Sequence, residues 1–252
     1  MKCWIFFKMH VKLLTRLVKD MCTLDYFKFA KNSNKKINFK YHLSISQEVK
    51  VNETFESKIY NFKIASEKIN IYTIPPGRIF SFWKIVGNPN KQFKKGRVIK
   101  NGMIHEDVGG GLCQLSGIIY YISLITGLRI LERHNHSVDI YNDETRFCPL
   151  GTDATLVYGY KDLRITNPYS FPIRFELIVL EKSIEVKLMS TEKIEKKTLE
   201  FKNVETDQFK IVSITTDSKN IISQSKYKKT TLQLNLLNNK LFQIVAVAFK
   251  NI

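Results

Sequence analysis

The segment GGGLCQLSGIIYYISLITG, residues 109–127, carries the clearest structural signal in the sequence. Three consecutive glycines run into an apolar segment, Leu112 to Thr126, and Gly127 follows as a natural helix C-cap. The segment is apolar on nearly every side, which predicts a buried central helix. Cys113 then lies in the first turn of that helix, where unpaired backbone N–H groups and the helix dipole stabilise a thiolate.

The glycine turn before Cys113 allows more than one interpretation. The backbone of Gly110 and Gly111 could present N–H groups to a carbonyl oxygen that becomes an oxyanion, and a thiol nucleophile needs this setting. A structural cysteine after a glycine turn is the alternative, because free cysteine is among the most buried residue types. A phosphate-binding loop is disfavoured, since no Gly-Lys-Ser/Thr follows the glycines.

A second candidate feature lies just downstream, in residues 128–141, which we predict to be a strand. Its alternate positions place Glu132, His134 and His136 on one face between apolar ends. Buried ionisable groups are costly unless they are paired, so these side chains are candidates for a functional site. Either histidine could act as the base for Cys113, because alternation places both on the same side. An ion-paired structural cluster is the alternative interpretation.

Asp153 opens another short predicted strand and could orient the imidazole of a catalytic histidine, or it could cap that strand. A metal site is a further alternative, with His134 and His136 joined by His105, Cys113 or Asp153 as ligands. The sequence lacks a compact second pair of ligands. We therefore expect no metal and no cofactor.

Several motifs in this region together resemble the VanW family, which is named for a protein of glycopeptide-resistance gene clusters. The resemblance runs from about residue 62 to about residue 180, nearly half of the chain. The pieces that carry it, in order, are Pro76-Gly77-Arg78-Ile79-Phe80-Ser81-Phe82, Gly109-Gly110-Gly111-Leu112-Cys113-Gln114-Leu115-Ser116, Gly127-Leu128, Glu132-Arg133-His134, His136-Ser137, Gly151-Thr152-Asp153-Ala154-Thr155 and Gly159-Tyr160-x-Asp162-Leu163.

The resemblance implies a cysteine-dependent acyl transfer of the L,D-transpeptidase kind, with peptidoglycan stem peptides or their precursors as partners. Cys113 would be the nucleophile, His136 the base and Asp153 the residue that holds the imidazole. The expected substrate or oxyanion contacts are Gly110, Gly111, Gln114, Ser116, Glu132 and His134. The alternative is a non-catalytic accessory protein that binds cell-wall precursors or antibiotic, in which Cys113 is structural.

The composition excludes several other classes of protein. Of the 252 residues, 44% are hydrophobic and 25% are charged, which is typical of folded globular chains. The net charge is +17, but only 8 of the 40 basic residues are arginine and no nucleic-acid-binding motif is present. We therefore expect no nucleic-acid partner, whereas peripheral contact with an anionic membrane stays open. The oligomeric state also stays open.

Cysteine use and hydropathy bear on the compartment. The four cysteines are widely spaced without a Cys-x-x-Cys pair, so we expect free thiols rather than a disulfide framework. No apolar run is long enough to span a bilayer, and we recognise no signal peptide. These observations predict a cytoplasmic or membrane-peripheral protein, with export by an unrecognised route as the alternative.

Glycine and proline are confined to the centre of the chain, between Pro75 and Pro172. We predict an α+β fold with three parts: an N-terminal helical segment (1–74), a VanW-like core (75–190) and a β-rich extension (191–252). The first part should contain helices near residues 8–30 and 54–69 with core-facing apolar sides, membrane docking of the first being the alternative. The core should contain an extended stretch over 79–83 and a hairpin at Asn101-Gly102. The strands expected after Gly159 are 162–166, 173–180, 184–189, 198–203, 209–215, 230–236 and 241–249.

Overall fold

The described α-helices all lie in the first half of the chain, with strands between them, and the described second half is mainly antiparallel sheet. The computed structural model describes residues 2–32, 36–100, 103–139, 148–217 and 219–229. The helices in this part are α1 (Lys2–Cys22), α2 (Phe55–Asn70), α3 (Phe82–Val86) and α4 (Leu112–Ile125). The strands are β1 (Tyr41–Glu48), β2 (Ile79–Ser81), β3 (Lys95–Lys100), β4 (Met103–Val108), β5 (Arg129–Glu132), β6 (Arg164–Thr166), β7 (Ile173–Val179), β8 (Ser183–Ser190), β9 (Leu199–Glu205), β10 (Phe209–Thr216) and β11 (Ile221–Lys228).

Helix α4 forms the centre of the core, as the apolar run predicts. Its side chains Leu115, Ile118 and Ile122 are fully buried. Gly111 is the N-cap with a φ of 95°, and Gly127 follows the helix with a φ of 68°. These left-handed conformations favour glycine, so both ends of the helix are determined by the sequence.

The strands pair antiparallel around this helix. Within the described residues they form a sheet β1-β8-β7, a sheet β2-β6-β5, a hairpin β3-β4 and a meander β9-β10-β11. Helix α2 packs on β7, and two hydrogen bonds join Asn70 to the backbone of Leu177 at 3.0 and 2.8 Å. The predicted α+β class, with a buried helix and an antiparallel C-terminal region, is confirmed.

Most of the predicted strands are present with small shifts of their ends. The hairpin is confirmed by the pairing of Lys100 with Met103, although the turn residues Asn101 and Gly102 lie outside the described residues. The stretch predicted as extended over 79–83 is wrong after Ser81, which caps helix α3 through its side chain. Strands β1 and β11 were not predicted. The strands expected over 230–236 and 241–249 lie outside the described residues.

The strand predicted over 128–141 is shorter than the alternation suggested. Strand β5 ends at Glu132, after a register shift against β6. The irregular segment 133–139 is held by side chains instead, for example by Asn135, whose Nδ2 donates to the carbonyl of Lys226 at 2.8 Å. The short strand expected at Asp153 is also absent from the described residues 152–156. The last two residues of the predicted strand lie outside the described part of the chain.

Helix α1 contradicts the expectation of a core-facing apolar side. The side chains expected in the core are exposed: Leu14, Leu17, Val18 and Met21. The helix meets the body through charged residues on another face. Arg16 binds Glu132 through two hydrogen bonds of 3.0 and 2.6 Å, and Asp20, which is buried, binds Arg164. The amphipathic pattern alone could not reveal that paired charges, rather than the apolar stripe, attach this helix.

Helix α2 follows the prediction, because Phe62 and Ile69 are buried in the core. No helix in the described part of the chain has the length and apolar character that crossing a bilayer requires.

Candidate active site

Cys113 is the second residue of α4, directly after the glycine turn. Its side chain is half-buried, and its Sγ accepts the backbone N–H of Leu156 at 3.4 Å. The N–H groups of Leu112 and Gln114 donate to Gly109 and Gly111. Among the described residues, the N–H of Cys113 itself donates to no acceptor, so it is free to bind an oxygen from solvent or substrate.

His136 lies between Cys113 and Asp153. Its side chain interacts electrostatically with the thiol of Cys113, and its Nδ1 lies 2.7 Å from Oδ2 of Asp153. The same carboxylate oxygen accepts the backbone N–H of His136 at 2.6 Å, which fixes the ring relative to the chain. The structure therefore brings together the three residues that the sequence nominated as nucleophile, base and orienting acid.

Electrostatics favour a charged histidine in this cluster. Burial lowers the pKa of His136, but the hydrogen bonds and negative charges of Asp153 and Cys113 raise it to about 10. Burial raises the pKa of Asp153, but the hydrogen bond from His136 and the charges of Arg133 and His136 lower it to about 2. At neutral pH the cluster thus contains an imidazolium and a carboxylate.

Two residues that sequence reasoning missed donate hydrogen bonds to Oδ1 of Asp153, the carboxylate oxygen that does not contact His136. Arg133 lies 3.0 Å from Oδ1 and also donates to the backbone carbonyls of Asp153 and Gly151, at 2.7 and 2.8 Å. The hydroxyl of Tyr227, in β11, donates to the same Oδ1. Burial and the charge of Asp153 raise the pKa of Tyr227, so this hydroxyl stays protonated.

The signals for these two residues differ. Arg133 lies inside the motif Glu132-Arg133-His134, and its position in that motif could have indicated a place in the site. Tyr227 lies in a polar strand far along the chain, and nothing in its local sequence indicates contact with Asp153. Only the packing of the C-terminal meander on segment 133–139 brings it there, through hydrogen bonds such as Lys228 N–H to the carbonyl of Ser137 at 2.8 Å.

Glu132 and His134, expected on the same face as His136, form a separate pair. Nε2 of His134 lies 3.1 Å from Oε1 of Glu132. Burial raises the pKa of Glu132, but hydrogen bonds from His134, Arg16 and the N–H of Asp162, with the charge of Arg16, lower it to about 2. This carboxylate therefore belongs to the attachment of α1, and strand alternation was wrong in grouping all three side chains.

The other nominated residues have packing contacts in the structure. A Cβ on Gly110 would lie 2.3 Å from the backbone of Gly96, so the turn passes too close to the β3-β4 hairpin for a side chain. The Ser116 hydroxyl is buried and donates to the carbonyl of Ala154 at 2.6 Å. The Gln114 amide donates to the carbonyl of Glu48 in β1 at 3.0 Å. These contacts fix α4 to its neighbours.

A further cation, Lys58, borders the glycine turn. A Cβ on Gly111 would lie 2.6 Å from Cγ of Lys58. Burial, and secondarily the charge of Arg97, lower the pKa of Lys58 to about 8. The described residues contain no group of three or more histidine, cysteine or acidic side chains arranged to hold a metal ion. A thiol, an imidazole, a carboxylate and a free backbone N–H are the components that nucleophilic acyl transfer uses.

Comparison with known proteins relates this chain to a family. A family model described as "VanW like protein" matches residues 57–189. The Vancomycin B-type resistance protein VanW of Enterococcus faecalis is 35% identical over 114 residues, which is 44% of this chain and 42% of that protein. Uncharacterized protein YoaR of Bacillus subtilis is 32% identical over 124 residues, which is 48% of this chain and 39% of that protein.

The chain thus spans less than half the length of these two curated relatives. No solved structure matches it significantly. The family model covers just over half of the chain and includes Cys113, His136 and Asp153, whereas Tyr227 lies beyond its end. On the extent of that match, the chain belongs to the VanW family.

Proposed function

We propose that this protein is a cysteine-dependent acyltransferase that acts on peptidoglycan stem peptides or their precursors, in the manner of an L,D-transpeptidase. The observation that carries the proposal is the contact of one histidine, His136, with both Cys113 and Asp153. The relative in Enterococcus faecalis is named as a vancomycin resistance protein. We therefore extend the proposal to a role in vancomycin resistance.

In the first step the Cys113 sulfur attacks a carbonyl carbon of the donor stem peptide. The thiolate is the nucleophilic form of a cysteine, and the imidazolium of His136 lies beside the sulfur that attacks. As the tetrahedral intermediate collapses, the C–N bond to the terminal D-amino acid breaks, and His136 gives its proton to the departing amine. The products of this step are a Cys113 thioester, a free D-amino acid and a neutral imidazole.

In the second step an acceptor amine attacks the thioester. Neutral His136 takes a proton from that amine, a new amide bond forms and the C–S bond breaks. The sulfur leaves as the thiolate beside the imidazolium, so the starting charges are restored. Asp153 stays ionised throughout, because it hydrogen-bonds to His136 and Arg133.

The turn before Cys113 supplies the group that would stabilise the oxyanion. The Cys113 N–H, unused within the described residues, lies at the start of α4, where the helix dipole is positive. A backbone donor of this kind contributes roughly 3 kcal/mol to stabilising the transition state of acyl transfer.

The test is thioester formation on a synthetic tetrapeptide stem, followed by intact-protein mass spectrometry. We expect the wild type and the Cys148→Ala control to gain the mass of the donor minus its terminal amino acid. Cys113→Ala should gain nothing. Both cysteines are half-buried, so the control removes a thiol of similar exposure. A wild type that binds the stem without forming an adduct would instead indicate an accessory binding protein with a structural Cys113.

A further inference from the structure

Helix α1 presents a wide apolar face away from the body of the protein. Trp4, Phe6, Phe7, Leu14 and Val18 are each more than half exposed. At 100° per residue, the exposed apolar positions cover an arc of about 160° of the helix. His10, which is also exposed, lies within this arc, but the arc is otherwise lined by apolar side chains among the described residues. An exposed apolar surface of this size is unusual for a folded domain and marks an interaction site.

The attachment of α1 to the body explains why this face stays outside. Arg16 and Asp20 bind Glu132 and Arg164, and Met9 lies against Gly159. These contacts occupy a narrow stripe on the opposite side of the helix. Because the charges are paired and partly buried, the helix cannot roll its apolar face onto the core without leaving them unpaired.

Three exposed lysines lie along one edge of the apolar arc: Lys8, Lys12 and Lys19. The helix has one acidic residue, Asp20, and that residue is buried against Arg164. The outer surface of α1 is therefore apolar and positively charged, without an exposed carboxylate. Leu24 and Phe27, which follow the helix in the chain, are also exposed.

We infer that α1 is an interfacial anchor that lies on the surface of an anionic phospholipid membrane. Its apolar arc would enter the boundary between headgroups and acyl chains, and its lysines would contact lipid phosphates. Aromatic side chains such as Trp4 favour that boundary. A second copy of the chain fits this face less well, because it would bring its own lysines against the first set and the chain already carries a net charge of +17.

This inference does not depend on the proposed function, because membrane binding is measured without any reaction at Cys113. The experiment sediments the full chain with vesicles of phosphatidylcholine, or of phosphatidylcholine and phosphatidylglycerol in equal parts. We expect strong binding to the mixed vesicles and weak binding to phosphatidylcholine alone, with the difference lost at high salt.

Two sets of variants identify the surface. Replacing Phe7, Leu14 and Val18 by serine should weaken binding by about tenfold or more. The matched control replaces three apolar residues exposed elsewhere, namely Val51, Ile71 and Leu180, and should bind as the wild type does.

If circular dichroism shows that the serine variant has lost its helix, a lysine variant still tests membrane binding by α1. Lys8→Gln, Lys12→Gln and Lys19→Gln together should weaken binding to the mixed vesicles by about 100-fold, at about 1 kcal/mol per lysine. Its matched control carries glutamine at the exposed Lys193, Lys196 and Lys202.

Equal binding to both kinds of vesicle, or unchanged binding in the lysine variant, would overturn the inference. A second result would also overturn it: no vesicle binding, together with a dimer in sedimentation velocity that becomes a monomer in the serine variant. The apolar face would then be a protein interface.

Discussion

Two histidine–carboxylate pairs lie side by side in this protein, and they have different surroundings. His134 and Glu132 are 3.1 Å apart, and His136 and Asp153 are 2.7 Å apart. His134 is 38% exposed on its side chain, whereas His136 is 19% exposed. The histidines are two residues apart in the chain, so neither local composition nor spacing separates them.

The partners of the two carboxylates make the difference. Glu132 accepts hydrogen bonds from Nη1 and Nη2 of Arg16 and so connects β5 to helix α1. Asp153 accepts hydrogen bonds from Arg133 and Tyr227, and its histidine contacts Cys113. The first pair therefore has an attachment role, and the second has the components of a catalytic relay. The surroundings of the acid, rather than the position of the histidine, distinguish the two.

Removing each imidazole in turn tests this difference most directly. His136→Ala should slow thioester formation by about 100-fold or more, because it removes the general base and acid. His134→Ala should leave the rate within about threefold, because His134 does not contact Cys113 in the relay we propose. The rates are measured by intact-protein mass on the same tetrapeptide stem. Similar losses in both variants would mean that the pairs act as one unit.

The sequence alone nominated three side chains that lie together in the structure. Ordered motifs at family-like spacing indicated Cys113, His136 and Asp153, whose catalytic roles stay predictions, and the apolar run predicted α4. The strand model failed after Glu132, because segment 133–139 is held by side-chain hydrogen bonds that alternation does not encode. Tyr227 could not be predicted, since its contact with Asp153 depends on how the distant meander packs.

The orientation of α1 was also beyond the sequence, for a related reason. An amphipathic pattern shows that a helix has two faces, but here paired charges rather than the apolar face meet the body. The partners Glu132 and Arg164 lie far along the chain. Their contribution becomes visible only when the tertiary fold brings them to Arg16 and Asp20.

The two pairs should also lose their stabilising effect at opposite ends of the pH range. The pKa of His136, about 10, lies above its ordinary 6.5, so its contribution to stability is complete below the ordinary value and is lost as the pH rises towards about 10. The pKa of Glu132, about 2, lies below its ordinary 4.5, so its contribution is lost as the pH falls from the ordinary value towards about 2.

Urea unfolding of His136→Gln and His134→Gln measures this difference. The wild type should exceed His136→Gln in unfolding free energy by on the order of 2 kcal/mol at neutral pH, and the gap should close near pH 10. The gap between the wild type and His134→Gln, measured over the same range, is the comparison for the other pair. A gap for His136→Gln that does not change with pH would contradict a protonated histidine at neutral pH.

A smaller effect is expected in the reactivity of the thiol. Iodoacetamide should label Cys113 faster than Cys148 near neutral pH, because His136 and the N-terminus of α4 lie beside the Cys113 sulfur. In His136→Ala the labelling rate of Cys113 should fall by about tenfold, and in His134→Ala it should not change. Peptide mapping after short labelling times gives both rates in one sample. Equal labelling of the two cysteines in the wild type would favour a structural Cys113.

The smallest effect tests whether the C-terminal meander belongs to the site. Tyr227→Phe removes one hydrogen bond to Asp153 and should cost about 1 kcal/mol of unfolding free energy. Tyr120→Phe is a matched control, because its hydroxyl donates to Ser223 at 2.7 Å and does not touch Asp153.

The two variants should differ in acid, although they lose similar stability at neutral pH. The hydrogen bond from Tyr227 lowers the pKa of Asp153, so its removal raises that pKa towards the ordinary 3.8. Acid unfolding of Tyr227→Phe should therefore begin at a higher pH than that of Tyr120→Phe, and thioester formation should slow by about threefold in the first variant alone. If the two variants have the same acid transitions and the same rates, the proposed active site is confined to the region that the family model covers. A difference would mean that β11, beyond the end of that region, helps to hold the acid of the relay.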